Sequence, residues 1–456
     1  GGAGISALAR IELERGAAVS GSDQRANALT ASLAKDGAQI FLGHRPENVA
    51  RADLVVISSA VKDDNPEVME ARRLGIPVMK RAAYLGRLMG RQRPICVAGA
   101  HGKTTTTAMI ALILQRAGLR PSYIVGGTAA ELGSNAHAGD GAHFVIEADE
   151  YDGMFLGLTP WVAVITNVEL DHVDCYPTVE DVERAFAQFA SQTVSDGLLL
   201  VCGDSPRALS VVEQARRRWG ARPAPMVCTY GLDGEMDWNG VALTFSETGG
   251  TCFAVQRAGR PWGRFELSIP GRHNVSNALA AIAVSAWMGL NTAIVAESLR
   301  HYRGVGRRFE LKGEAAGITV IDDYGHHPTE IRATLRAARQ RFGDRRVWAV
   351  FQPHTYSRLQ ALFDDFAGAF EDADEVIVTD IYAAREKDAG MVSAAGLAER
   401  IVGAPTRYLP RLEDASATLL SEARAGDVII TLGAGDDDLI GEWVLAGLRQ
   451  DNRVGV

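Results

Sequence analysis

Residues 99–104 read Gly-Ala-His-Gly-Lys-Thr and carry the residue types that a phosphate-binding turn requires. Glycines at 99 and 102 let the backbone aim its N–H groups at one point, at the positive end of the helix that follows. Lys103 adds a point charge for the outer phosphates of a nucleotide, and the Thr104 hydroxyl is a hard oxygen ligand for Mg²⁺. The spacing is GxxGKT rather than GxxxxGK[ST], with Val97 where the first glycine would stand. Lysine occurs only at 35, 62, 80, 103, 312 and 387, which argues against chance placement beside Gly102. Gly99, Ala100, His101, Gly102, Lys103, Thr104 and Thr105 are the candidate nucleotide contacts.

Two polar clusters follow apolar runs further along. Glu147-Ala-Asp149-Glu150-Tyr151-Asp152 ends the run from His143, and Val168 to Asp174, containing Asp171 and His172, follows the run from Trp161. Hard oxygen ligands suit Mg²⁺, so Glu147 joins Thr104 as a candidate ligand, with His172 an unusual addition. The bland alternative for residues 147–152 is a solvated acidic loop. Asn274 and Asn277, after Pro270-Gly271, either cap a helix or present an amide to adenine. His326-His327 and His354 lie where strands meet helices, which favours a site over three structural histidines.

The elements that must position these residues alternate in type. The apolar run Ile95 to Ala98 predicts a buried strand and Thr104 to Gly118 a helix. In an open parallel sheet, ligands bind at the carboxyl ends of strands, where the glycine turn and both polar clusters fall. The N-terminal glycines Gly1, Gly2, Ala3 and Gly4 precede a helical pattern and a strand-like run ending at Asp23. A glycine cluster of this kind follows a strand, so a first strand is expected ahead of Gly1. That unit alone reads as a dinucleotide site with Asp23 on a ribose. Ser58 and Ser59 close a buried run and either face a bound nucleotide or sugar, or form a turn. Residues 198–269 read as β-rich and irregular. Beyond 304, predicted strands at 319–322, 347–351, 375–379 and 428–432 alternate with helices as in a second Rossmann-like layer.

The chain has 456 residues, enough for two to four domains of about 100–200 residues each. The expected division is a Rossmann-like N-terminal domain (1–92), a central P-loop ATPase-like domain with a mostly parallel sheet (93–303) and a Rossmann-like C-terminal domain (304–456), an α/β protein throughout. A net charge of −9 argues against broad nucleic-acid binding. Five scattered cysteines, never spaced as CxxC, suggest a reducing compartment without a zinc site, and no apolar run approaches a membrane span. The expectation is cytoplasmic.

GxxGKTTT, EADExD, NVELDH, GRHNxxNALAA, GRRFE and DDYGHHPTE occur in that order over nearly the whole chain. Together they resemble the Mur ligases of peptidoglycan synthesis. The resemblance implies ATP and Mg²⁺ as cofactors, with UDP-N-acetylmuramate activated as an acyl phosphate and attacked by the amine of L-alanine. It implies that Lys103 stabilises the transferring phosphate and that Thr104, Glu147 and His172 hold the metal. Asn274 and Asn277 would lie on the adenine side, Arg308 and Asp323 on the phosphates and ribose, and His326 and Arg358 beside the incoming amino acid. Gly1, Gly2, Ala3, Gly4, Asp23, Ser58, Ser59 and Asn135 would line the sugar-nucleotide pocket. Partners would be small molecules, with the chain a monomer or weak homodimer. Thr355 stands where many relatives carry a second arginine, and the absence of lysine between 103 and 312 favours the alanine-adding branch. The alternatives are a ligase that attaches a preformed tripeptide to the same sugar nucleotide, a nicotinamide-dependent oxidoreductase and a non-catalytic nucleotide-binding protein.

Overall fold

The computed structural model describes residues 2–246 and 249–454. Gly1 lies outside the described residues, and the strand expected ahead of it lies outside the sequence. Three α/β domains are built on separate sheets. The N-terminal domain holds two parallel pairs, Ser20–Asp23 with Gln39–Leu42 and Val55–Ile57 with Val78–Lys80. The pairs are not hydrogen-bonded to each other, and their parallel strands alternate with helices as expected of a Rossmann-like unit.

The central sheet has ten strands, and the strand Arg93–Ala98 lies between Val162–Ile165 and His143–Glu147, parallel to both. Its residues alternate across the sheet. Ile95 and Val97 join the core formed with helices Lys103–Arg116 and Arg272–Trp287, whereas Cys96 and Ala98 join the core on the opposite face. Such two-sided burial explains why the strand reads as an unbroken apolar run. Helix Lys103–Arg116 is buried from Thr104 through Leu114, consistent with apolar residues all round its C-terminal half. The region 198–269 is β-rich as expected and also holds a helix, Pro206–Trp219, capped by Ser205 through the N–H of Ala208. Its buried residues Ala208, Val211, Val212, Ala215 and Trp219 repeat at helical spacing.

The C-terminal sheet has six strands, with Glu310–Ala315 antiparallel at one edge and the rest parallel. The two domain junctions differ in chemistry. Ala7, Leu8 and Ile11 of helix Ala3–Glu14, and Leu85, Leu88 and Met89 of helix Arg81–Met89, share a buried core with Phe155 and Phe186 of the central domain. Each of the larger apolar side chains contributes about 1.5–3 kcal/mol by leaving water, so this junction is fastened by packing. The junction to the C-terminal domain is fastened by ion pairs. Among the described residues no helix is long and apolar enough to cross a membrane.

Candidate active site

Three adjacent parallel strands end at one cleft of about 1400 Å³. Strand Arg93–Ala98 delivers the turn 99–102, His143–Glu147 delivers the acidic cluster, and Val162–Ile165 leads to Thr166 and Asn167. Gly99 and Gly102 have φ of 145° and 79°, which favour glycine. A Cβ at Gly99 would collide with Thr166 Oγ1, and one at Gly102 with Asn277 Oδ1. Close approach, as well as backbone conformation, therefore requires both glycines.

Lys103 Nζ lies 2.9 Å from Glu150 Oε1 and also donates to the carbonyls of Gly99 and Ala100. Burial works against its charge, but Glu150, Asp149 and Glu147 outweigh it and raise the Lys103 pKa above its ordinary value. Glu150 is only 3% exposed and Glu147 and Asp149 are half-buried, so within the acidic cluster Asp152 alone is open to solvent. Thr104 Oγ1 sits 3.0 and 2.9 Å from the two oxygens of Glu147, one of which also accepts the Gly126 N–H at 2.7 Å.

His172, at φ 51°, gathers with Asp149 and Glu150 rather than with Glu147. Its Nε2 is 3.7 Å from Glu150 Oε1, and the three side chains offer ligand atoms within 4.8 Å of one another. The expected trio of Thr104, Glu147 and His172 thus lines the cleft in two groups joined through the Lys103–Glu150 pair. Hard oxygen atoms dominate both groups, a donor set that fits Mg²⁺.

Asn274 and Asn277 correct the capping expectation. Both are buried within helix Arg272–Trp287, whose N-cap is Gly271 at φ 99°. The Asn274 amide donates to the Pro270 carbonyl, and Asn277 donates to Asn274 Oδ1. Both residues still line the cleft.

Asp323 ends the strand Ile318–Asp323 and accepts the backbone N–H groups of Phe309 and Gly325, both at 2.7 Å. Burial raises its pKa to about 6, and nearby Glu330 adds to the rise. The Arg308 guanidinium lies 3.2 Å from Glu330. His326 holds the Tyr324 carbonyl at 2.9 Å through Nδ1, and burial with the nearby Arg358 charge lowers its pKa to about 3. Arg358 is largely engaged already: its Nε and NH2 lie 2.8 and 2.7 Å from Asp171 Oδ1, and NH1 lies 2.9 Å from His354 Nδ1.

Other expected residues separate from the cleft. Asp23 accepts the Arg25 N–H, Ser58 closes a turn by accepting the Val61 N–H, Ser59 is exposed, and Asn135 pairs through its carbonyl with the Val125 N–H. None of these four lines the cleft. Gly2 caps helix Ala3–Glu14, and Gly4 does line the cleft.

The sequence reading missed the acids that join the central and C-terminal domains. His101 Nε2 is 3.3 Å from Glu169, its Nδ1 is 3.2 Å from Glu330, and Thr329 donates to Glu169 at 2.7 Å. Burial lowers the His101 pKa, yet Glu330 and Glu169 reverse this and raise it to about 10. Adjacency of Glu169 and Asp171 to His172, and of Glu330 to the histidine pair, was the available signal.

Comparison with known proteins follows the same three-part division. Residues 1–93 match the Mur ligase family catalytic domain, 97–285 the Mur ligase middle domain and 307–435 the Mur ligase glutamate ligase domain. A UDP-N-acetylmuramate–L-alanine ligase of Roseiflexus sp. is 46% identical over 463 residues, covering 99% of this chain and 98% of the relative. The ligase of that name from Caldanaerobacter subterraneus subsp. tengcongensis is 42% identical over 448 residues, covering 98% and 95% respectively. The crystal structure of UDP-N-acetylmuramate-alanine ligase MurC from Thermotoga maritima superposes with a TM-score of 0.83 at 29% identity, covering 99% of this chain and 98% of that one. With matches to all three segments in order, and with such identity over almost its full length, the chain belongs to the Mur ligase family.

Proposed function

We propose that the protein joins L-alanine to the lactyl carboxylate of UDP-N-acetylmuramate with conversion of ATP to ADP and phosphate, a step of peptidoglycan synthesis. The supporting observation is the one cleft lined by the phosphate loop, the acidic cluster and the C-terminal groups. The names of the curated relatives favour L-alanine over a tripeptide as the incoming group. ATP and a nucleotide sugar are cytoplasmic metabolites, which assigns the reaction to that compartment.

In the first step a carboxylate oxygen of the sugar nucleotide attacks the γ-phosphorus, the bond to the bridging oxygen breaks and ADP departs. This step needs positioning and charge neutralisation more than covalent help from the protein. The turn 99–104 orients the phosphates, and Lys103 exchanges Glu150 for phosphate oxygen. Thr104 and Glu147, with His172 and its acidic neighbours, would hold Mg²⁺. When bound, the ion neutralises charge on the phosphate oxygens.

In the second step the alanine amine adds to the acyl carbon, the carbon–oxygen bond to phosphate breaks and the amine proton passes to the departing phosphate or to water. His326, kept neutral, is too weak a base to capture that proton outright, so its role is to accept a hydrogen bond and orient the amine. Arg308 and Asp323 reach the nucleotide from the C-terminal domain, so turnover requires that domain to close. The test is phosphate release from ATP. Release is expected only when UDP-N-acetylmuramate and L-alanine are both supplied, and release with neither, without amide product, refutes the reading.

A further inference from the structure

Arg81 begins the helix Arg81–Met89 in the N-terminal domain, and its guanidinium faces the cleft. On one side stands the first turn of helix Ala3–Glu14, where a Cβ added at Gly4 would collide with Arg81 Cζ and NH1. On the other side, Glu147 and Asp149 are near enough to act on its charge. Among the described residues, none forms a hydrogen bond or ion pair with the guanidinium, and Nε is buried without a partner. An arginine stays charged at any working pH, and Arg81 is half-buried with Nε shut away from water and no acid paired to it, so an anion entering the cleft meets a guanidinium whose donors are still untaken.

The surroundings restrict where that anion comes from. The helix carrying Arg81 packs on the segment Tyr151–Gly157 that follows the acidic cluster, and a Cβ at Gly157 would crowd the Ala82 carbonyl. The arginine is therefore held in place between the glycine turn of the N-terminal domain and the nucleotide end of the central one. Glu147 and Asp149 repel any incoming acid, and a cation opposite them is what allows a negatively charged substrate to approach.

We propose that Arg81 is a substrate-binding residue that grips anionic oxygen of the sugar nucleotide where the N-terminal and central domains meet. The inference rests on the ligase reading above. Two parts of that substrate offer such oxygen: the diphosphate, reached beside Gly4, and the lactyl carboxylate, reached beside Glu147 and Asp149. A guanidinium serves either with paired N–H donors, which a lysine cannot reproduce.

The experiment measures dissociation constants by calorimetry for UDP-N-acetylmuramate and for UDP-N-acetylglucosamine, which lacks the lactyl acid, with wild type, Arg81→Ala, Arg81→Gln and Arg81→Lys. Wild-type binding of UDP-N-acetylmuramate is the control, and its failure counts against the ligase reading itself. The expected result is a loss on the order of 10²-fold for Arg81→Ala and a smaller loss for Arg81→Lys. Weakening of both nucleotides supports the proposal and assigns the diphosphate, whereas weakening of UDP-N-acetylmuramate alone supports it and assigns the carboxylate. Thermal melting identifies the variants that fold, and Arg81→Gln preserves most of the side-chain volume if alanine does not. Folded variants that bind both nucleotides as tightly as wild type overturn the proposal.

Discussion

Arg358 and Asp171 form a buried ion pair across the boundary between the C-terminal and central domains, with side chains only 5% and 6% exposed. Burial alone would protonate Asp171, but the Arg358 charge reverses that and holds its pKa well below the usual carboxylate range. Removing one partner of such a pair costs about 3–5 kcal/mol, mostly because the other is left charged and dry. Asp171→Ala is therefore expected to open the domains, seen as a larger radius of gyration in small-angle scattering and a higher KM for L-alanine. Asp171→Ala with Arg358→Ala is expected to be more stable than Asp171→Ala alone, because the stranded charge is gone.

His101 gives the same junction a pH dependence. Its pKa is raised from 6.5 to about 10, so its stabilising charge is fully present below pH 6.5 and is lost as pH climbs toward 10. Glu169 behaves in the opposite sense: His101 overcomes the effect of burial and lowers its pKa to about 2, so its contribution is lost as pH falls from 4.5 toward 2. Melting temperature against pH is expected to decline above pH 6.5, and His101→Gln to flatten that alkaline limb.

Lys103→Ala is expected to keep the fold and lower turnover on the order of 10² or more, as for loss of one charge stabiliser in a transition state. It also strands the buried Glu150 carboxylate. Adding Glu150→Gln is expected to restore melting temperature without restoring turnover. Recovery of turnover in the double variant would place the role of Lys103 in structure alone.

Gly126 tests the metal group by volume. Its φ is unremarkable, but a Cβ there would meet Glu147 Oε2, displacing the carboxylate from Thr104. Gly126→Ala is expected to raise the Mg²⁺ concentration needed for half-maximal turnover by about 10-fold or more, as for disturbed ligand support. Mn²⁺ binding followed by electron paramagnetic resonance is expected to weaken in parallel.

Local spacing made part of this site legible. The turn 99–104 is six consecutive residues whose glycines, lysine and threonine each have one physical use, and Glu147 stands at the end of an apolar strand. The ion pair between Asp171 and Arg358 was not legible, because the two residues are 187 positions apart and only the packing of two domains brings them together. Arg81 has no motif around it, and its significance lies in hydrogen bonds that no neighbour supplies. The helix Pro206–Trp219 did carry its signals, Ser205 as cap and Pro206 at the first turn, amid strands that otherwise dominate the region. Asn274 suggested a helix cap because a turn precedes it, whereas Gly271 is the cap and both amides lie inside the helix.

The acyl-phosphate route is tested most directly by isotope transfer. UDP-N-acetylmuramate labelled with ¹⁸O in both lactyl carboxylate oxygens is turned over with ATP and L-alanine, and the released phosphate is weighed by mass spectrometry. Attack of the carboxylate on the γ-phosphorus predicts one ¹⁸O in phosphate for every amide formed. Amide formation with unlabelled phosphate would contradict it.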